Sequence, residues 1–278
     1  MQHNISTSVS LELSNNEFQK VAQTVYRVCG IDLKQGKEAL VRARLMKRLR
    51  LLEMSSFKEY LQYIESNEGS RELGAMIDVM TTNKTSFFRE DDHFNYFSDT
   101  ILPELNKTRK KRMRFWSAAC SSGEEPFSLA IVLEEKLPDL KSRDVRILAT
   151  DISTNILEKA CRAVYDDAAL TDLQSASLRK YFVKVGNNPA VYQVKENVRQ
   201  LVKFAMLNLM DPWPMKGRFD VIFCRNVMIY FDKPTQQKLI NRFWDVLEPG
   251  GYLFVGHSEG LSAISHKFKY LRPATYRK

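Results

Sequence analysis

The chain has 278 residues, of which 44% are hydrophobic and 27% are charged, and its formal net charge is +9. This balance is typical of a soluble globular protein with one large domain or two smaller ones. No run of about 18 apolar residues predicts a membrane span, and residues 1–10 lack the basic and apolar parts of a secretory signal. We therefore expect a cytoplasmic protein that does not span a membrane.

The first eighty residues predict a small all-helical domain, residues 1–80. Apolar residues recur there at helical spacing, beginning after a cap at Asn15 or Asn16 and stopping at Gly30. The same texture continues to about residue 80 without any strand-like alternation.

One predicted helix of this domain is strongly basic. Its apolar stripe consists of Val41, Leu45, Leu49 and Leu52. Its opposite side carries Arg42, Arg44, Lys47 and Arg50. The pattern predicts a helix that packs on its own domain and leaves a basic face free. The charge alone leaves open a nucleic acid, an acidic protein partner or a solvated surface.

From about residue 112, predicted strands and helices alternate. The strands are predicted at 112–120, 145–151, 202–211, 219–231 and 252–259, and the helices at 127–137, 152–165 and 234–251. This alternation predicts an α/β fold whose mostly parallel sheet is covered on both faces. Ligands of such sheets bind beyond the carboxyl ends of the strands. We expect Arg225 and Asn226, which interrupt a buried run, to face a ligand there.

Two further features fall at the same predicted edge. The turn AACSSGEE (118–125) has small residues that let a ligand approach the backbone, without the G-x-G-x-x-G spacing of a dinucleotide site. Asp151 ends the second strand, where a carboxylate can accept hydrogen bonds from both hydroxyls of a ribose. It is equally well placed to cap the helix that starts near Ser153.

Metal chemistry has no clear signal in the sequence. The cysteines and histidines are scattered, at Cys29, Cys120, Cys161 and Cys224 and at His3, His93, His257 and His266. We expect reduced, buried thiols and no metal site.

Four segments, taken together and in order, resemble one family. They are TTNKTSFFRE (81–90), WSAACSSGEEPFSLA (116–130), ILATDIS (147–153) and FDVIFCRNVMIYFD (219–232). They are similar to the CheR family, the methyltransferases of bacterial chemoreceptors, and the similarity covers nearly the whole chain.

The resemblance implies that the chain is divided into three parts. They are a helical N-terminal domain (1–80), a linker that contributes to the cofactor site (81–95), and a Rossmann-like S-adenosylmethionine-dependent methyltransferase domain (96–278). The last carries an inserted antiparallel β-subdomain (181–204), for which the alternation in VYQVK and the turn-like GNNP are independent signals.

The resemblance also implies a reaction. A methyl group passes from S-adenosylmethionine to glutamate side chains on the cytoplasmic helices of methyl-accepting chemotaxis receptors, which leaves S-adenosylhomocysteine and a glutamyl methyl ester. A glutamate has a pKa near 4.3, so it is already ionised and needs no general base. The expected partners are these receptors, with no nucleic acid.

The family's cofactor residues carry over to matching positions. Asn83, Thr85 and Arg89 lie in the segment that folds over the cofactor in the family, and Arg89 would pair with the cofactor's carboxylate. A surface salt bridge from Arg89 to Glu90 or Asp91 is the alternative.

Four more residues would complete the cofactor pocket. Glu125 would contact the cofactor's amino group, with Glu124 as the competing choice. Asp151 would take the ribose hydroxyls, while Asn208 and Leu209 would frame the adenine. A leucine in a buried strand serves equally well as core, so Leu209 alone proves nothing.

The reaction centre implied by the resemblance involves Arg89, Arg225 and Tyr230. Arg225 and Asn226 would line the pocket near the methyl group, and Arg225 is also placed to meet the incoming carboxylate. Tyr230 would approach the sulfonium, although a core tyrosine explains it nearly as well.

Two receptor contacts are expected. The basic face of Arg42, Arg44, Lys47 and Arg50 would bind the receptor. In some family members the edge of the β-subdomain captures a C-terminal receptor peptide as an added strand. The alternative function is an RNA or small-molecule methyltransferase, but the predicted strand 219–231 ends in CRNVMIYF, without the prolines of the N-P-P-Y tetrad that would hold a flipped base.

Overall fold

The computed structural model describes residues 11–108, 110–171, 173 and 175–278. The chain forms two compact units, one that ends at Thr82 and one that spans Asn83–Lys278. No helix in these ranges is both long and apolar enough to cross a membrane.

The described part of the first unit is helical. Its helices are α1 (Asn15–Cys29), α2 (Glu38–Leu51), α3 (Phe57–Glu65) and α4 (Ser70–Met80). The predicted cap of α1 at Asn15 or Asn16 is wrong, because the N-cap is Ser14, which forms a reciprocal capping box with Glu17. Helix α1 ends at Cys29 and is followed by its C-cap Gly30, whose φ of 74° is left-handed, so Gly30 stops the helix as the sequence predicts.

Helix α2 buries the predicted apolar stripe. Val41, Leu45 and Leu49 are fully buried, and Leu52 is half-buried just beyond the helix. On its flank, Arg48 forms a two-pronged ion pair with the buried Glu72, at 2.8 and 2.6 Å. Paired charges of this kind tie α2 to α4.

The basic face of α2 is only partly free, which corrects the sequence expectation. The Arg42 Nε donates to the Leu11 carbonyl at 2.6 Å, and Arg44 donates to the Met80 carbonyl and to the Thr82 hydroxyl. Lys47 and Arg50 are exposed. The two arginines fasten segments of their own unit, since main-chain carbonyls beyond a helix accept well from guanidinium groups.

The second unit is built on a seven-stranded sheet in the order β6-β2-β1-β7-β8-β10-β9. Its strands are β1 (Arg112–Ala118), β2 (Asp144–Asp151), β6 (Val202–Met206), β7 (Phe219–Cys224), β8 (Leu247–Val255), β9 (Lys269–Arg272) and β10 (Thr275–Arg277). Strands β6, β2, β1, β7 and β8 are parallel, and β10 runs antiparallel to both of its neighbours. The order is that of a doubly wound sheet whose last strands form an antiparallel pair.

The second unit also contains helices. They are α5 (Asp91–Tyr96), α6 (Leu102–Lys107), α7 (Glu124–Lys136), α8 (Thr154–Arg162), α9 (Ser175–Tyr181), α10 (Glu196–Arg199) and α11 (Lys233–Val246). A π-helical turn, Phe97–Ile101, joins α5 to α6. All six residues of β7 are buried, as expected of a parallel strand covered on both faces.

A second, antiparallel sheet has the order β3-β5-β4, with β3 (Val164–Asp166), β4 (Phe182–Asn187) and β5 (Ala190–Val194). The sequence predicts β4 and β5 but assigns β3 to a helix, which is wrong. Helix α8 ends at Arg162 because Ala163 adopts a left-handed conformation, with φ 52°. Residues 202–204, the end of the predicted insertion, belong instead to β6 of the large sheet.

The segment that follows Thr82 is anchored in the second unit. Phe87 and Phe94 are buried in its core, and the Phe87 ring packs edge-on against Tyr165 and Phe182. Phe87 and Phe94, both from the segment predicted as a linker (81–95), thus pack into the core of the second unit.

The predicted strand 219–231 is too long. Strand β7 stops at Cys224, Asn226 has a φ of 61°, and Met228–Tyr230 form a 3-10 turn. The chain thus leaves the sheet at Arg225. The predicted helix 234–251 is also too long, because α11 ends at Val246 and β8 begins at the next residue.

Candidate active site

Polar side chains collect at the carboxyl edge of the large sheet. They lie at the ends of β1, β2, β7 and β8, in the first turn of α7 and in the segment before α5. In that order, the residues are Ser117, Asp151, Arg225 with Asn226, Glu259, Glu125 and Glu90. This is the edge at which ligands of doubly wound sheets bind. We call this set the rim cluster.

Arg225 is the centre of the rim cluster. Its Nη1 lies 3.0 Å from the Glu125 Oε2, and its Nη2 lies 3.0 Å from the Glu90 Oε2 and also donates to the Arg89 carbonyl. The side chain is only 2% exposed and its guanidinium lies over the Phe94 ring. Arg225 therefore forms ion pairs with two carboxylates of the rim cluster.

The two carboxylates that flank Arg225 differ electrostatically. Burial raises the pKa of Glu125, against the opposing effects of Arg225 and of the Ser117 hydroxyl, which donates to Glu125 at 2.6 Å. Burial also acts to raise the pKa of Glu90, but Arg225 and hydrogen bonds from Asn226 and His257 outweigh it and lower that pKa. Glu90 is thus the better compensated anion of the two.

Glu124 and Glu125 point to different places. Both lie in the first turn of α7 rather than in the preceding turn, so successive side chains diverge by about 100°. Glu125 reaches the rim cluster, whereas the buried Glu124 accepts the Ser122 hydroxyl at 2.7 Å. Burial raises the pKa of Glu124. Of the two glutamates, Glu125 is the one placed beside Arg225.

Asp151 joins two backbone segments. It accepts hydrogen bonds from the Ser121 amide at 2.8 Å and from the Ser153 amide at 3.0 Å. The helix-cap alternative for Asp151 is wrong, because Ser153 is the N-cap of α8 and its hydroxyl accepts from the Ile156 amide. Asp151 instead holds the turn after β1 beside the end of β2.

The segment before α5 also meets this turn. The Asn83 carbonyl accepts the Ser121 hydroxyl at 3.1 Å. The Arg89 guanidinium donates to the Lys84 carbonyl at 2.8 Å, so it bonds within its own segment, and Glu90 pairs with Arg225 instead of Arg89.

The remaining predicted site residues lie around this group. Thr85 and Tyr230 are half-buried, and Tyr230 ends the 3-10 turn after β7. Asn208 and Leu209 follow β6; the Asn208 side chain accepts from the Met210 amide at 3.0 Å, and Leu209 is buried. The strand order therefore sets a row along the edge: Asn208 after β6, Asp151 at the end of β2 and Arg225 after β7.

Glu259 is a site residue that sequence reasoning missed. Its carboxylate accepts three backbone amides: Asn226 at 2.7 Å, Gly256 at 2.6 Å and Ile229 at 3.1 Å. Glu90 was considered only as a partner for Arg89. A signal for Glu259 existed, since it is an acid four residues beyond the apolar run Tyr252–Val255.

Glu90, His93 and His257 also form a group whose ligand-type atoms lie within 4.8 Å of one another. Metal–ligand bonds of about 2.0–2.2 Å place two ligand atoms at most about 4.4 Å apart. Glu90 already pairs with Arg225, and His257 lies 3.0 Å from Asp92. Burial lowers the pKa of His93 to about 4, so this ring is neutral. The arrangement fits a polar cluster, and the absence of a metal site stays a prediction.

The second unit is thus a doubly wound α/β fold with carboxylates at the edge where such sheets bind ligands. Residues 83–276 match the family model described as "CheR methyltransferase, SAM binding domain", and residues 16–81 match "CheR methyltransferase, all-alpha domain". The chain belongs to the CheR methyltransferase family, and its cofactor is S-adenosylmethionine.

Curated relatives align with nearly the whole chain. A probable chemotaxis protein methyltransferase of Rhizobium etli is 42% identical over 91% of this chain and 96% of its own. A chemotaxis protein methyltransferase of Klebsiella aerogenes is 42% identical over 95% and 90% of the two chains, and one of Escherichia coli is 41% identical over 93% and 89%.

Proposed function

We propose that this methyltransferase acts in the cytoplasm on chemoreceptors, where it converts glutamate side chains of their cytoplasmic domains into methyl esters for chemotactic adaptation. The observation that carries the proposal is the match of both units to the two CheR domains. The names of the relatives, which are chemotaxis protein methyltransferases, support it.

The chemistry suits a site without a general base. A substrate carboxylate is ionised at neutral pH, and the cofactor's sulfonium leaves as a neutral thioether, so catalysis consists of alignment and exclusion of water. The rim cluster is acidic, since it holds four carboxylates (Glu90, Glu125, Asp151 and Glu259) and one guanidinium, that of Arg225, which pairs with two of them. This balance favours a cofactor that carries a positive sulfonium and an ammonium group.

The row along the sheet edge suggests how the cofactor is held. In this proposal Asn208 and Leu209 frame the adenine, Asp151 accepts the ribose hydroxyls, and Glu125 accepts the amino group. Supporting the last role, burial raises the pKa of Glu125, so a cationic ligand there would relieve an incompletely compensated carboxylate.

The segment before α5 would close over the other end of the cofactor. Arg89 would give up its bond to the Lys84 carbonyl and pair with the cofactor's carboxylate, with Asn83 and Thr85 beside it. The bond between the Asn83 carbonyl and the Ser121 hydroxyl supports a closed position of this segment.

Arg225, Asn226 and Tyr230 would surround the methyl group. The Nη1 and Nη2 groups of Arg225 already donate to Glu90, Glu125 and the Arg89 carbonyl, so we assign Arg225 the task of holding these groups in place. Tyr230 would face the sulfonium, which an aromatic ring or phenolic oxygen favours.

A substrate comparison tests the proposed function. Cofactor with a radiolabelled methyl group is incubated with the enzyme and either a purified receptor cytoplasmic fragment or total RNA. We expect label on the receptor fragment alone. Label on RNA, with none on receptor fragments, would contradict the proposal and favour the RNA-methyltransferase alternative.

The exposed part of the basic face gives a smaller prediction. Suppose that the basic face of Arg42, Arg44, Lys47 and Arg50 binds an acidic receptor surface. Its exposed residues, Lys47 and Arg50, then form solvent-exposed ion pairs, each of which stabilises the complex by about 0.2–1 kcal/mol. The double variant Lys47→Ala/Arg50→Ala should therefore lower kcat/KM for the receptor about two- to thirtyfold. Cofactor affinity should not change.

A matched control is the double variant Lys58→Ala/Arg71→Ala, which removes two exposed charges from other helices of the same unit. The wild-type rate should also fall with added salt, because exposed pairs are screened within about 8 Å at physiological ionic strength. If both double variants methylate the receptor at the same rate, or if the wild-type rate does not change with salt, the basic face is an ordinary solvated surface.

The small sheet supports a further receptor contact. Strand β4 is an edge strand, and Val183 and Val185 on it are 46% and 53% exposed. We propose that a C-terminal receptor peptide adds to this edge as a strand. Val185→Asp should abolish binding of a fluorescently labelled peptide, whereas Val164→Asp on the opposite edge strand should not. Equal binding by both variants would remove β4 from the interface.

A further inference from the structure

We propose that Glu259 is a positioning residue for methyl transfer, which fixes the turn that carries Asn226 and Tyr230. The inference rests on the proposed function, because it gives that turn a place beside the methyl group. Glu259 lies after β8, the neighbour of β7 in the sheet, so one carboxylate links the ends of two strands.

The geometry of Glu259 is that of a clamp on main-chain amides. Its Oε2 accepts the amides of Asn226 and Gly256 at 2.7 and 2.6 Å, and its Oε1 accepts the amide of Ile229 at 3.1 Å. The residue is 7% exposed. An ionised carboxylate has two oxygens, both of which only accept hydrogen bonds, and this matches a group of backbone N–H donors. A side-chain amide has only one acceptor oxygen, so it cannot replace both carboxylate oxygens.

The turn needs this clamp because the backbone conformation of Asn226 is unfavourable. Asn226 has a φ of 61°, in the left-handed region that costs a non-glycine residue free energy and persists only where surrounding bonds hold it. The 3-10 turn Met228–Tyr230 begins two residues later. Without Glu259, the partly buried hydrogen bonds of the Asn226 and Ile229 amides would lose their acceptor.

Gly256 shows that space is kept for the clamp. A Cβ atom at this position would lie 2.7 Å from the Glu259 Oε2 and 2.8 Å from the Asn226 backbone nitrogen. Such distances are far inside van der Waals contact, and the atoms in the way include main chain. A side chain at 256 would therefore displace the carboxylate from the amides it accepts.

The clamp also extends to Arg225. The Asn226 amide nitrogen Nδ2 donates to the Glu90 Oε1 at 3.3 Å, and the Glu90 Oε2 pairs with Arg225. A shift of the turn at Asn226 would thus loosen Glu90 at the same time. Glu259 acts on the reaction through these neighbours and touches neither cofactor nor substrate in this account.

The test compares Glu259→Gln with Asp220→Asn. Asp220 is a matched control because it is a buried carboxylate, 4% exposed, that accepts the Arg114 amide at the other end of β7. Both variants should lower the melting temperature. At saturating cofactor, Glu259→Gln should lower kcat for receptor methylation at least about tenfold. Asp220→Asn should stay within about twofold of wild type.

Gly256→Ala is the second variant and should reproduce the loss of kcat. Amide hydrogen exchange on the wild-type protein is independent of any variant: the Asn226, Gly256 and Ile229 amides should exchange slowly. Rapid exchange, or normal kcat in Glu259→Gln, would overturn the inference. If the wild-type enzyme does not methylate receptor fragments, the proposed function fails instead, so the two failures are distinguishable.

Discussion

Receptor methylation by the Arg225→Ala variant is expected to fall at least about a hundredfold at saturating cofactor. The arginine holds Glu90, Glu125 and the Arg89 carbonyl in fixed positions. Its removal leaves two carboxylates at the rim without their cation. Breaking a buried pair in this way costs about 3–5 kcal/mol, so the free energy of unfolding should fall as well.

The Arg225→Lys variant separates charge from shape. Lysine keeps the positive charge, but a single ammonium cannot reproduce a planar fork that serves three acceptors on different sides. We expect the rate to fall at least about tenfold, or 1.4 kcal/mol of transition-state stabilisation. Arg218→Ala, an exposed arginine just before the other end of β7, is the control and should retain the wild-type rate.

A wild-type rate for Arg225→Lys, measured with saturating cofactor, would mean that Arg225 positions nothing at the reaction centre. Its two ion pairs would then serve the fold alone. Denaturant unfolding of the same variant reads out that role separately, because an ion pair that only stabilises changes the unfolding midpoint and leaves kcat alone.

The second large effect is expected at Asp151. If its carboxylate accepts the ribose hydroxyls, Asp151→Ala removes a charged hydrogen bond of about 1.5–3 kcal/mol for each hydroxyl. The dissociation constant for S-adenosylmethionine should therefore rise at least about tenfold. Isothermal titration calorimetry on folded protein measures it.

Stability must be followed in the same variant, because Asp151 also accepts the Ser121 and Ser153 amides. Asp151→Asn keeps one acceptor oxygen and should lose less affinity than Asp151→Ala. The control is Asp144→Asn at the other end of β2, where the carboxylate is half-exposed and pairs with Arg114. Unchanged affinity in folded Asp151→Ala protein would remove Asp151 from the ribose site.

Much of the architecture was predictable because it depends on local patterns. Alternating apolar strands and amphipathic helices indicate a doubly wound sheet, and polar residues after buried strands mark its ligand edge. Both Asp151 and Arg225 stand out for this reason: each follows a run of residues that only a buried strand explains.

The errors arise where distant residues decide. Val227–Tyr230 are apolar and read as a continuation of β7, but Glu259 accepts the Asn226 and Ile229 amides and the chain turns. The three-residue strand Val164–Asp166 carries no local signal, because only its pairing with β5 defines it.

The sequence also could not predict the direction in which individual side chains point. The resemblance favoured Glu125 but left Glu124 as a competing choice, since the phase of α7 relative to the sheet depends on where the helix begins. Likewise, the basic face of α2 looked uniform, but Arg42 and Arg44 donate to the backbone of their own unit. Such contacts follow from tertiary packing and not from helical periodicity.

The central claim is that the product is a methyl ester on receptor glutamate. The most direct measurement labels a receptor cytoplasmic fragment with radioactive methyl groups, treats it with mild alkali and collects volatile methanol, while mass spectrometry of untreated peptides locates the methyl group. We predict that alkali releases the label as methanol and that the modified residues are glutamates. Alkali-stable label on lysine, arginine or RNA would contradict the account.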